Sequence, residues 1–111
     1  NNLYSDVSLI MTPDSATYHQ GGTLGFDIDM KNYSPAPRTF YALVDVELPS
    51  SSYFALFPPV SLTLGGNQTK HVRINYPLPP AVPLGNYLMR SRIGWPADLW
   101  NADTFDFEIV P

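Results

Sequence analysis

Few side chains in this chain could do chemistry. It has 2 histidines, 10 Asp and Glu, and no cysteine, so a thiolate metal site, a Cys nucleophile and a disulfide framework are all excluded. His19 falls in a turn and His71 on an exposed strand face, and neither has the flanking residues of a general base. Ser50-Ser51-Ser52 has no Gly-x-Ser-x-Gly elbow around it and reads as a loop. Asp27-x-Asp29 puts two carboxylates on one face of a strand, where they could share a cation. No glycine-anchored calcium loop or third acid at useful spacing accompanies them, and a solvated face accounts for the pair. The sequence therefore predicts no catalytic residue, no metal site and no cofactor.

One segment invites a binding role. Gly94-Trp95-Pro96-Ala97-Asp98-Leu99-Trp100-Asn101 sets two tryptophans among polar residues, and the stretch 94–103 reads as a long loop. Exposed indoles beside Asp98 and Asn101 would suit a sugar ring or a protein partner. The opposing reading makes one or both indoles a plug in the open end of the core. Asp98, Asn101 and Asp103 could in principle hold calcium, but turn formation explains them more simply. Trp95, Asp98, Trp100 and Asn101 are the candidate ligand-binding residues. Asn67-Gln68-Thr69 and Asn32-Tyr33-Ser34 are formal glycosylation triplets of a kind common by chance.

These residues need a scaffold, and the composition bounds it. A chain of 111 residues, 44% hydrophobic and 14% aromatic, is predicted to be one domain with a packed core. Its net charge of -4 makes it a poor partner for nucleic acid or anionic lipid. No apolar run is long enough to span a membrane as a helix. The opening Asn1-Asn2 reads as a domain excised from a larger protein.

The 12 prolines and paired glycines break helical periodicity, whereas period-two alternation recurs throughout. Strands are predicted over about 7–11, 24–31, 39–48, 72–76, 87–93 and 104–110, with short edge strands in 53–64. Leu24, Phe26, Ile28 and Met30 would face inward, as would Phe40, Ala42, Val44, Val46 and Leu48, and later Phe105, Phe107 and Ile109. Pro83-Leu84-Gly85-Asn86-Tyr87 sets a corner with a tyrosine at the first inward position of the next strand. Seven short strands at this spacing predict an all-β, seven-stranded antiparallel Ig-like β-sandwich.

In that order the strand from Tyr87 lies between those of Val44 and Phe107. Arg90 and Arg92 then fall between Asp45 and Glu47 on one side and Asp106 and Glu108 on the other, while Asp27 and Asp29 lie beside His71 and Arg73. Opposite charges on neighbouring strands contribute about 0.2–1 kcal/mol per pair. The arrangement accounts for these acids without an active site.

The string Tyr18…Gly21-Gly22-Thr23-Leu24…Phe26, with Leu62-Thr63-Leu64-Gly65 and Pro83-Leu84-Gly85-Asn86-Tyr87, resembles bacterial extracellular Ig-like modules related to fibronectin type III, including the CARDB type. The resemblance covers nearly the whole chain, although Thr23 stands where an acid often follows the glycine. It implies a non-catalytic accessory module of a secreted or cell-surface protein. Its partners would be neighbouring domains or another protein, with glycan binding through Trp95 and Trp100 as the alternative. No family binding motif is matched, so no residue inherits a role.

Overall fold

The computed structural model describes residues 6–95 and 98–111. Within them the chain is all-β, with nine strands: β1 (Val7–Pro13), β2 (Thr17–His19), β3 (Thr23–Asn32), β4 (Arg38–Glu47), β5 (Tyr53–Ala55), β6 (Val60–Leu64), β7 (Thr69–Pro77), β8 (Gly85–Trp95) and β9 (Asp98–Val110). One sheet has the order β1-β3-β7. The other runs β2-β9-β8-β4-β5, with β6 also paired to β4.

The described residues form nine strands rather than the expected seven, and the expectation that all are antiparallel is corrected at Thr17–His19. Thr17–His19 pairs with β9 in parallel, so the chain leaves one sheet after Pro13 and joins the other within a few residues. Three residues are too short for alternation to reveal. The short edge strands expected in 53–64 are β5 and β6, parted at Pro58-Pro59 and paired with different halves of β4. Proline has no N–H to donate to a ladder, so the edge strand is split in two.

Inside the strands the alternation holds. Leu24, Phe26, Ile28 and Met30 of β3 are buried, as are Phe40, Val44 and Val46 of β4 and Phe107 and Ile109 of β9. The inward faces of the two sheets share one core. Phe26 of the smaller sheet meets Phe105 of the larger at 5.5 Å between ring centroids, and Phe107 stacks on Tyr87 at 5.2 Å.

Two polar devices close the ends. Asn32 is fully buried; its amide donates to the carbonyls of Ala36, Leu64 and Gly65, and its carbonyl accepts the Ser34 N–H. One side chain thereby ties the β3–β4 turn to the β6–β7 turn and satisfies backbone groups that no strand reaches. At the free edge of β1, Asp103 accepts the N–H of Met11 at 2.7 Å and Asn101 donates to the carbonyl of Val7 at 3.2 Å. Side chains of one sheet thus cap an edge of the other, a common need of exposed strand edges.

Candidate interaction surface

The expected loop over 94–103 is instead the end of a β-hairpin. Trp95 pairs with Asp98, Gly94 with Leu99, and Ile93 with Asn101, leaving Trp100 as an extra residue in a β-bulge. Gly94 sits at φ 137°, a backbone region that side chains with a Cβ rarely adopt. Bulges re-aim side chains, and here the two indoles separate. Trp95 is 43% exposed and meets the outward ring of Tyr41 edge-on, 5.2 Å between centroids. Trp100 is half-buried against Phe40, a fully buried core residue, at 5.6 Å.

Trp95, Trp100 and Asn101 therefore have three different surroundings. Trp100 serves the core, Asn101 is bonded to β1, and Trp95 belongs to the outward sheet face. Asp98 is placed by its backbone pairing with Trp95. Pro96 and Ala97, within the same segment, lie outside the described residues.

Around Trp95 the outward face of β9, β8 and β4 forms one continuous surface. Across the ladder, Tyr41 lies opposite Gly94, Leu43 opposite Arg92, Asp45 opposite Arg90 and Glu47 opposite Leu88. Arg90 grips Asp45 with two bonds, of 2.9 and 3.1 Å, and Arg92 adds a third at 2.9 Å. The Asp45 carboxylate beside Arg90 raises the already high pKa of that guanidinium. Arg90 also lies over the exposed ring of Tyr53, 4.6 Å from its centroid, a cation–π contact. Arg92 Nε is buried without a hydrogen-bond partner. The expected bridging of Arg90 and Arg92 to an acid on a neighbouring strand is present, and Asp45 receives both.

Tyr41, Leu43 and Leu88 occupy outward positions that a purely solvated sheet face would give to polar residues. Tryptophan, tyrosine and arginine on one patch match the composition of energetic centres in protein interfaces. The signal was present in the alternation of 41–47, where Tyr41 and Leu43 stand among the outward residues. What the sequence concealed was that Gly94 and the bulge bring Trp95 beside them.

The second charged cluster lies on the outward face of the smaller sheet. Arg73 bonds Asp14 at 2.7 Å and reaches Asp27 at 3.4 Å, while His71 bonds Asp29 at 2.7 Å. The Asp29 carboxylate, which accepts from the imidazole, raises the His71 pKa above its usual 6.5. His19 is exposed, and its Nδ1 lies 2.9 Å from the Pro111 carbonyl oxygen. Among the described residues no group of three or more His, Asp or Glu side chains is placed to hold a metal ion, and no helix is long and apolar enough to cross a membrane.

An apolar cleft also opens between β7 and the β5–β6 side. It is lined by Leu24, Val46, Leu56, Tyr76, Leu78 and Tyr87, among others, and has a volume of about 180 Å³. Its walls are almost wholly apolar.

No family model matches the chain, and no curated protein is similar to it in sequence. Solved structures do share its fold. A CARDB domain from Pyrococcus furiosus, solved in complex with di-metal ions, is 13% identical with a TM-score of 0.73; the match covers 96% of this chain and 90% of that one. The alkylpurine DNA glycosylase AlkC of Pseudomonas fluorescens, bound to DNA containing an abasic site analog, is 12% identical with a TM-score of 0.75 over 96% of this chain. A mutant β-glucosidase of Listeria innocua in complex with laminaribiose is 17% identical with a TM-score of 0.69 over 97% of this chain. The chain spans only 31% of the glycosylase and 16% of the β-glucosidase. At these identities the likeness concerns the fold alone, and that fold is CARDB-like.

Proposed function

We propose that this domain is a non-catalytic accessory module of a secreted or cell-surface protein, an Ig-like sandwich that docks a neighbouring domain or another protein. Its contact surface is the outward face of β9, β8 and β4, centred on Trp95 and Tyr41. The observation that carries this reading is the exposed indole of Trp95, held edge-on by Tyr41 on the outward sheet face with Leu43 and the Arg90–Asp45–Arg92 cluster beside it. An aromatic anchor already held by a neighbouring ring costs little entropy to immobilise. Similar folds occur both as a domain that this chain nearly matches in length and as parts of much longer enzymes, which supports a modular role.

The test compares amide spectra of the domain alone and joined to the polypeptide encoded beside it. Signals of Trp95, Tyr41, Leu43 and Leu88 should shift, and Trp95→Ala should abolish the shifts while leaving the fold intact. Unchanged signals on this face, with shifts elsewhere, would reject the surface. The carbohydrate-binding alternative has one exposed indole behind it, because Trp100 packs on Phe40. A glycan array with the domain and its Trp95→Ala variant checks it.

A further inference from the structure

We propose that the partner received on this face is a cationic, amphipathic polypeptide segment. Its lysine or arginine side chains would lie among Glu47, Asp106 and Glu108, and its apolar side chains along Leu88, Leu43 and the Tyr41–Trp95 pair. This inference rests on the contact surface proposed above and adds the chemistry of its occupant.

The argument begins with where the acids find partners. Asp6 pairs with Arg38, Asp14 and Asp27 with Arg73, Asp29 with His71, and Asp45 with Arg90 and Arg92. Asp103 accepts the backbone N–H groups of Met11 and Thr104. Among the described residues, Glu47, Asp106 and Glu108 have neither an ion pair nor a side-chain hydrogen bond. All three surround the same short stretch of β8. Glu47 and Asp106 lie opposite Leu88 from either side, and Glu108 lies opposite Asn86.

The outward positions of β8 explain why these acids stay unneutralised. Read from Arg92 back along the strand they are Arg92, Arg90, Leu88 and Asn86. The cations stop at Arg90, and both arginines are consumed by Asp45. Where a third basic residue would face Glu47 and Asp106, the chain has leucine. Like charges so placed repel one another, so a cation supplied from outside gains without displacing an internal pair. Leu88 beside the acids, and Leu43, Tyr41 and Trp95 beyond the intervening Arg90–Asp45 rung, give the remainder of the segment something to bury.

The geometry also selects the kind of cation. Glu47 and Asp106 stand on strands separated by β8, so their backbones are about 10 Å apart. The Leu88 side chain stands between them, and among the described residues no three acids are grouped to hold a metal ion, whereas separate side chains of one segment can reach each acid. A polyanion or nucleic acid would meet repulsion at the same residues.

The experiment is an amide-spectrum titration of the labelled domain with three peptides of about ten residues, alternating Lys–Leu, Ser–Leu or Glu–Leu. The Lys–Leu peptide should shift Glu47, Leu88, Asp106 and the Trp95 indole. Glu47→Lys or Asp106→Lys should weaken its binding about tenfold, and about 0.5 M salt should weaken it further. The unperturbed spectrum of each variant verifies folding. If the Ser–Leu peptide binds this face as tightly, the cationic partner is rejected and the contact surface stands. Tighter binding of Glu–Leu, Lys–Leu shifts spread equally over Asp14, Asp27 and Asp29, or no shift with any peptide would each overturn the inference. So would shifts of Glu47, Asp106 and Glu108 produced by calcium chloride alone. The spectrum of the domain joined to its flanking polypeptide judges the surface separately.

Discussion

The hydroxyl of Tyr87 donates to the carbonyl of Pro83, four residues earlier, at 2.6 Å. The ring is buried and stacked on Phe107, and burial pushes the phenol pKa up. The bond pins the corner leading into β8 to the strand it begins. Tyr87→Phe keeps the ring and removes the donor, leaving a part-buried carbonyl unsatisfied. It should cost about 1–2 kcal/mol, read as a lower urea midpoint with an unchanged denaturant slope.

The turn linking β6 to β7 offers a paired test. A Cβ added at Gly66 would fall 2.2 Å from the carbonyl oxygen of Pro35, which is backbone. At Gly65 the nearest atom is the Gln68 Oε1, at 3.4 Å, on a flexible side chain. Gly66→Ala should destabilise by more than about 1 kcal/mol, and Gly65→Ala should stay within about 0.5 kcal/mol of neutral. Equal effects in thermal melts would contradict the close approach of the two turns.

The two tryptophans should respond oppositely to truncation. Trp100→Ala opens a gap beside Phe40 and should cost about 2–4 kcal/mol, below the range for a fully buried indole because part of the ring is exposed. Trp95→Ala should change stability by about 0.5 kcal/mol or less. Equilibrium unfolding of both variants decides the matter.

His71 predicts a pH dependence. Its pKa is raised in the folded state, first by the hydrogen bond to Asp29 and then by the charges of Asp29 and Asp27. Partial desolvation of the imidazole and the charge of Arg73, two residues along the same strand, act the other way. The imidazolium therefore binds its proton more tightly folded than unfolded. The resulting stabilisation is complete below pH 6.5 and is lost as pH rises through the folded pKa. His71→Gln should lack this decline when unfolding is followed from about pH 5 to 9. A wild-type profile parallel to the variant's would refute the assignment.

Asp45 is the shared acceptor of two arginines and is itself mostly buried. Asp45→Ala leaves Arg90 and Arg92 as like charges on adjacent outward positions of β8. The cost should be about 1–2 kcal/mol, between the values for exposed and buried pairs because both guanidiniums remain partly solvated. The deficit should shrink in the Asp45→Ala, Arg92→Leu double variant, in which one of the two repelling charges is gone.

Much of the frame could be read from alternation. Leu24 to Met30 and Phe40 to Val46 declare their buried faces residue by residue, and the charges on Asp45, Arg90 and Arg92 agree with the strand order of an Ig-like topology. What stayed hidden was short or irregular. Thr17–His19 carries too few residues for a period, and its parallel pairing depends on a change of sheet that no local preference encodes. The hairpin of Trp95 and Trp100 was obscured by Pro96 and by a bulge whose only mark is Gly94. The candidate surface was half visible, since Tyr41 and Leu43 sat on an outward row, but Trp95 joins them only through that bulge.

The parallel pairing of β2 with β9 has a mechanical consequence. Tension that enters through the N-terminal side of β2 and leaves through the C-terminal end of β9 pulls the two strands in opposite directions along their shared axis. The Thr17–Glu108, Tyr18–Ile109 and His19–Val110 rungs are then loaded in shear and must yield together. An antiparallel pair gripped at one end would instead unzip rung by rung. A module joined by both ends to neighbours would in this way resist stretching with a seam of only three rungs.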